Sequence, residues 1–266
     1  MRHGLRMDGL IFTSPLLGPR PPLAERAMIG IVAPATNITV QPEMEVLRPP
    51  GVCNQHARIA NPNSAITGNT DTLAARQIML DGLDAAIDSL LPCGPDHIAL
   101  GVMVENFAGG GAAGEALLEG IRKRTGRGVS DWSSAMLAAL RALGGRKRVA
   151  ILTPFMPVGD AAAQQFFEET GHQVTAVVGL KAPSPYDTGR ITVERQIEAL
   201  RALDATGPEV IVQAGTNLAF AQLAVEAERW LGKPVIAANT VIYWHALRSL
   251  GLADVLPAAG RLGLVG

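Results

Sequence analysis

The sequence predicts an α/β protein built as two pseudo-symmetric doubly wound lobes, each with a parallel sheet. Three observations carry this. Short continuous apolar runs alternate with stretches whose apolar residues recur at three and four, the alternation that generates sheets covered by helices on both faces. The runs show no in-out alternation, as strands buried on both sides must. Finally, the second half repeats the first at a period on the order of 100 residues, which suits a duplicated doubly wound unit rather than a solenoid.

Residues 1–27, "MRHGLRMDGLIFTSPLLGPRPPLAERA", combine basic residues with an apolar patch that Pro15 interrupts and a proline tether. They read as a flexible or partner-clasping extension rather than a targeting segment. The ordered chain opens at "AMIGIVAP", an apolar run closed by proline. Further strands are expected at "HIALGVMV", "RVAILTPF", "QVTAVVGL", "EVIVQAG" and "PVIAAN", with a weaker candidate at "ARIA". Between them lie helical patterns such as "TDTLAARQIMLDGLDAAIDSLL", "WSSAMLAALRALGG" and "TVIYWHALRSLG", many ending in glycine.

The repeat pairs "IGIVAPATN" with "VAILTPFMP", "HIALGVMVENFA" with "EVIVQAGTNLA", and "GRGVSDWSSAMLAALRALGG" with "GKPVIAANTVIYWHALRSLG". Lobes at 28–145 and 146–266 follow, with the last helix of the first a candidate to pack on the second. Two facing lobes would bring their strand-end loops to one cleft.

Composition narrows the partner. Lysine plus arginine number 23 and aspartate plus glutamate 24, so net charge is -1 and no global field draws nucleic acid or an acidic membrane. No apolar run reaches the length needed to span a bilayer. Two cysteines, Cys53 and Cys93, have no metal-like spacing and form no disulfide framework, which suits the cytoplasm. A small-molecule partner is expected.

Four strand-end loops hold the candidate chemistry. In "APATNITVQPEM", Thr36 and Asn37 offer donors to a carboxylate, or alternatively an Asx-turn or helix cap. In "GVMVENFAGGGAAGE", Glu105 and Asn106 follow a strand; Glu105 serves as general acid or base if desolvated, or as a solvated loop carboxylate. The glycines there match neither a Walker loop nor a dinucleotide fingerprint, which leaves a nicotinamide-dependent oxidoreductase little support. In "TPFMPVGDAAA", Thr153 ends a strand and Asp160 reads as an N-cap. In "VIVQAGTNLAF", Gly215 permits close approach to a ligand and Thr216 and Asn217 can donate. His56, His97, His172 and His245 are scattered without metal-ligand spacing and read as structural or solvated.

Together these loops resemble the aspartate/glutamate racemase superfamily, in its maleate cis-trans isomerase and arylmalonate decarboxylase branch. "IGIVAPATNITVQPEM" resembles the branch's N-terminal strand and carboxylate loop, "RVAILTPF" its second-half opening strand, and "VIVQAGTNLAF" its second catalytic-cysteine strand, over roughly residues 28 to 256. The resemblance implies two lobes, no metal or organic cofactor, a small carboxylate held by Asn, Ser, Thr and backbone donors, and a homodimer or higher homo-oligomer. It places the family's two cysteines at Val102, or Met103 one residue on, and at Gly215, so both are absent. Phe155 stands for the usual tyrosine and Pro185 for an expected asparagine. Two readings remain: a cysteine-independent lyase, decarboxylase, hydratase or hydrolase in which Glu105 moves the proton, or a non-catalytic carboxylate-binding paralogue.

Overall fold

The computed structural model describes residues 19–60, 63, 69–103 and 111–266. Two four-stranded parallel sheets carry the fold. The first contains β1 (Ala27–Pro34), β2 (Val52–Ile59), β3 (His97–Leu100) and β4 (Gly128–Ser130) in the order β2-β1-β3-β4. The second contains β5 (Arg148–Thr153), β6 (Gln173–Gly179), β7 (Val210–Gln213) and β8 (Val235–Ile236) in the order β6-β5-β7-β8. The identical order is the expected duplication, and the match of "IGIVAPATN" to "VAILTPFMP" is β1 matched to β5. The central strands β1, β3, β5 and β7 are buried except at an end, so their sequences run apolar without alternation.

Several elements differ from expectation. "ARIA" is only the end of β2, whose polar first half sits on a half-exposed edge strand. β4 is too short to leave a periodic signal. A helix α1 (Val40–Leu47) was not expected; Pro42 lies in its first turn, where proline is tolerated, and Val40, Met44 and Leu47 face the core. β3 ends at Leu100 and not at residue 104. The order also begins ahead of residue 28: Pro22–Ala24 form a short 3-10 turn with Ala24 buried. Arg20 pairs with Asp96, and Arg26 with Asp254 at 2.6 Å. Residues 1–18 of the expected extension lie outside the described residues.

The helices that follow the last strand of each sheet tie the halves together. Helix α4 (Trp132–Ala142) is capped by Asp131, whose carboxylate accepts the Ser133 N–H at 3.1 Å. Its Trp132 leaves the first sheet for the second: the indole N–H donates to the Gln213 carbonyl at 3.1 Å, and the ring meets Phe166 and Phe167 of α5 (Pro157–Glu169) at 5.3 and 5.8 Å between centroids. Conversely, α9 (Ala238–Ser249), which follows β8, packs on β3, β4 and α1 and against α4. A single core therefore joins Ile29 and Ile31 to Val149, Val210 and Val212 through Trp132, Ile242 and Tyr243. Residues 238–244 of α9 are all buried, which is why its sequence lacks a polar face. No helix among the described residues is long and apolar enough to cross a membrane.

Candidate active site

In each sheet the first strand lies between neighbours reached by connections of opposite direction, so the switch point beyond which open α/β sheets bind ligands falls at the carboxyl ends of β1 and β3 and of β5 and β7. The loops after these four strands are the ones that the sequence singles out. Only the structure shows how they meet.

Three of them, the loops after β1, β3 and β7, are bonded directly to one another across the seam. Asn37 Nδ2 donates to Thr216 Oγ1 at 3.3 Å, Thr39 Oγ1 donates to the Thr216 carbonyl at 2.6 Å, and Thr216 Oγ1 donates to the Gly101 carbonyl at 3.0 Å. Asn217 accepts the Ile38 N–H at 2.8 Å and donates to the carbonyls of Thr36 and Pro185 at 3.3 and 2.7 Å. Asn37 Oδ1 accepts the N–H groups of Thr39 and Val40 at 3.0 and 2.9 Å, so the local turn reading of Asn37 holds as well. Asn217 has spent both amide protons, and Thr216 its only hydroxyl proton. These side chains act as struts between the halves, and Asn37 keeps one amide proton outside these bonds.

The backbone of the second-lobe loop is held with equal care. Gly215 has φ +97°, the left-handed region that glycine enters without penalty. A Cβ placed there would meet Pro154 Cγ at 2.6 Å, Pro154 Cδ at 2.7 Å and Phe155 Cζ at 3.3 Å. The side chain of Gln213 turns back along the loop: Nε2 donates to the carbonyls of Ala214 and Gly215 at 2.7 and 2.6 Å, while Oε1 accepts the Ala238 N–H at 2.8 Å. The carbonyl of Thr216 takes a second donor, Asn239 Nδ2, at 2.9 Å.

Behind this loop lies Glu43 of α1, half-buried at the seam. One oxygen accepts the N–H groups of Phe220 and Ala221 at 2.8 and 2.9 Å, where α8 (Ala221–Leu231) begins; the other accepts Asn239 Nδ2 at 2.6 Å. A carboxylate at a helix N-terminus is favourably placed. Burial nevertheless pushes the Glu43 carboxyl above its usual range, against the lowering by Ala221, Asn239 and Phe220. Sequence reasoning missed Thr39, Glu43, Gln213 and Asn239. Gln213 was the one with a signal, a polar residue ending an apolar strand.

Of the other expected residues, Val102 is buried in the core of the first half, and Met103 in the core shared by both. It is the carbonyl of Gly101, one residue before Val102, that meets Thr216. Glu105 and Asn106 lie outside the described residues; with β3 ending at Leu100, Glu105 follows it by five residues and not directly. Thr153 Oγ1 accepts the Phe155 N–H at 3.0 Å and donates to Asp160. Asp160 is not an N-cap: Met156 occupies that position, and Asp160, in the first turn, reaches back to the strand end. Burial raises its carboxyl, opposed by the Thr153 hydroxyl. Cys53 lies inside β2, opposite Met28, and exposed Cys93 precedes β3, so both sit at the amino ends of the first sheet.

The histidines are more organised than expected. Ser130 Oγ lies 2.8 Å from His97 Nε2 and 2.7 Å from His245 Nδ1, linking β3, β4 and α9. Burial lowers the His97 pKa to about 4 and lowers that of His245 as well. Among the described residues no group of three or more His, Cys, Asp or Glu is arranged to hold a metal ion.

Two lobes of identical strand order, meeting at the carboxyl ends of their central strands, define the racemase-like class of α/β proteins. The chain belongs to the arylmalonate decarboxylase family, whose profile matches residues 66–263. It is similar to arylmalonate decarboxylase of Bordetella bronchiseptica, at 31% identity over 196 residues, which is 68% of this chain and 80% of that protein. It is also similar to maleate isomerase of Nocardia farcinica, at 25% identity over 247 residues, or 88% and 94% of the two chains. The solved structure of the Nocardia farcinica maleate cis-trans isomerase bound to Tris superposes with a TM-score of 0.80 at 24% identity, covering 89% of this chain and 97% of that one. A crystal structure of arylmalonate decarboxylase gives 0.72 at 22%, with 90% and 100% covered.

Proposed function

We propose that the chain is a cofactor-independent enzyme acting on a small carboxylate or dicarboxylate without a catalytic thiol, by acid-base and oxyanion chemistry of lyase, decarboxylase, hydratase or hydrolase type. The observation that carries this is the loop at 214–217. Where the family resemblance expects a cysteine, the chain has Gly215, and the Pro154 ring fills the place of any side chain there. The N–H groups of residues 215–217 take no part in the bonds that hold the loop. They are suited to a carboxylate or to the oxyanion that develops from it. One such donor contributes on the order of 3 kcal/mol to a transition state.

A variant of the Nocardia farcinica maleate cis-trans isomerase carries a covalently bound succinylcysteine intermediate. That adduct needs a thiol, and the two cysteines here sit at the opposite ends of the strands. In our reading Glu105 moves the proton or activates water, and Asn37 contributes its remaining amide proton to the substrate. Thr36, Thr153, Phe155 and Asn106 complete the surroundings, and Thr216 and Asn217 act through the backbone. The protein works as a cytoplasmic homodimer or higher homo-oligomer, which sedimentation of the purified chain tests directly.

The first experiment is a thermal-shift screen against mono- and dicarboxylates, including malonates, maleate and hydroxy acids, with each stabilising compound followed by NMR. Conversion establishes the enzyme and identifies the bond. Stabilisation without conversion of any compound replaces it by the non-catalytic carboxylate-binding reading. Glu105→Gln is expected to abolish turnover at unchanged melting temperature; an unchanged rate removes Glu105 from the mechanism.

A further inference from the structure

Three successive peptide groups at the seam have their carbonyls fastened by side chains. Gln213 Nε2 holds the carbonyls of Ala214 and Gly215; Thr39 Oγ1 and Asn239 Nδ2 hold that of Thr216. The orientation of the Gln213 amide is unambiguous, because its other end faces the Ala238 N–H, which can only donate. A trans peptide is planar, with its N–H directed opposite to its C=O. Fixing the carbonyls of residues 214, 215 and 216 therefore fixes the N–H groups of residues 215, 216 and 217, all turned away from the donors. Successive N–H groups held in this way form an anion-binding concavity.

We propose that Gln213, supported by Thr39 and Asn239, is the positioning group that turns this loop into an anion receptor. The inference rests on the carboxylate reading above and names what sets up its receptor. Gln213 is 1% exposed and ends β7, so it is rigidly mounted and touches no substrate. Its amide supplies two donors on one side and one acceptor on the other, a combination that a carboxylate at the same position lacks. Glu43 acts one step further back, by holding Asn239 against the Thr216 carbonyl. Without these donors the peptide planes are free to turn, and preorganisation, the main source of strength in such sites, is lost.

The test uses the full-length chain, the probes maleate and malonate, and the variants Gln213→Glu and Thr39→Val. Amide NMR follows residues 215–217 during titration. In the wild type these three resonances move with the bound anion. Gln213→Glu is expected to weaken binding at least tenfold at neutral pH and to recover part of it as the pH falls, since a protonated carboxyl can again donate to a carbonyl. A purely structural role would give no such recovery. Thr39→Val, which keeps the branched shape, is expected to weaken binding about threefold to tenfold and keeps the test decisive if Gln213→Glu does not fold. Wild-type affinity in a folded Gln213→Glu, or in Thr39→Val where Gln213→Glu fails to fold, overturns the positioning role alone. An anion that binds without moving residues 215–217 overturns the receptor, and no dicarboxylate binding at all overturns the carboxylate reading together with it.

Discussion

Pro154 occupies the space that a side chain on Gly215 would need: a Cβ at residue 215 would lie 2.6 Å from Pro154 Cγ. The same glycine sits at φ +97°, so the site opposes a side chain both by contact and by backbone conformation. Gly215→Cys, which puts a thiol where the family resemblance expects one, is therefore expected to destabilise the fold by about 2 kcal/mol or more. It is expected to yield no racemase or decarboxylase activity until Pro154 is also replaced. Urea denaturation and an activity assay of the single and double variants check this; activity in Gly215→Cys alone would show that Pro154 yields easily.

Thr216 is expected to matter more for holding the halves together than for touching a ligand. Thr216→Val removes the hydroxyl that joins Asn37 Nδ2 to the Gly101 carbonyl and leaves both buried without that partner. A loss of about 1–3 kcal/mol follows, read as a lower urea midpoint at unchanged slope.

Neither half is expected to fold alone. Trp132 of the first half is seated on Phe166, Phe167 and the Gln213 carbonyl of the second, while α9 of the second packs on the first sheet. A fragment of residues 146–266 is expected to lack a cooperative thermal transition, and mixing it with residues 1–145 to restore one. Trp132→Ala in the whole chain is expected to cost about 3–5 kcal/mol. Independent cooperative melting of the isolated fragment would contradict the exchange of helices.

Acid is expected to weaken the fold through His97. Its pKa is lowered from 6.5 to about 4 by burial, so between those values the unfolded chain binds more protons than the folded one. The contribution is complete above about pH 6.5 and is lost as pH falls toward 4, by roughly 3 kcal/mol. His97→Gln, which keeps a polar atom near Ser130, is expected to flatten this part of the stability-pH curve. An unchanged slope would move the acid sensitivity to another group.

The architecture was legible along the chain. Parallel strands buried on both faces leave continuous apolar runs, and a duplication leaves them twice, so "AMIGIVAP", "RVAILTPF" and "EVIVQAG" were legible along with the four strand-end loops. β4 and the polar half of β2 were not, because three residues hold no period and an edge strand is under little pressure to be apolar. The roles at the seam were decided by tertiary structure alone. Thr216 and Asn217 read as free donors because their partners, Gly101, Asn37, Ile38 and Pro185, are far away in the chain and come close only when the halves meet. Gln213, Glu43 and Asn239 had no local motif for the same reason: a hydrogen bond is a relation between two positions in space, and periodicity records only the position of one residue relative to its own core.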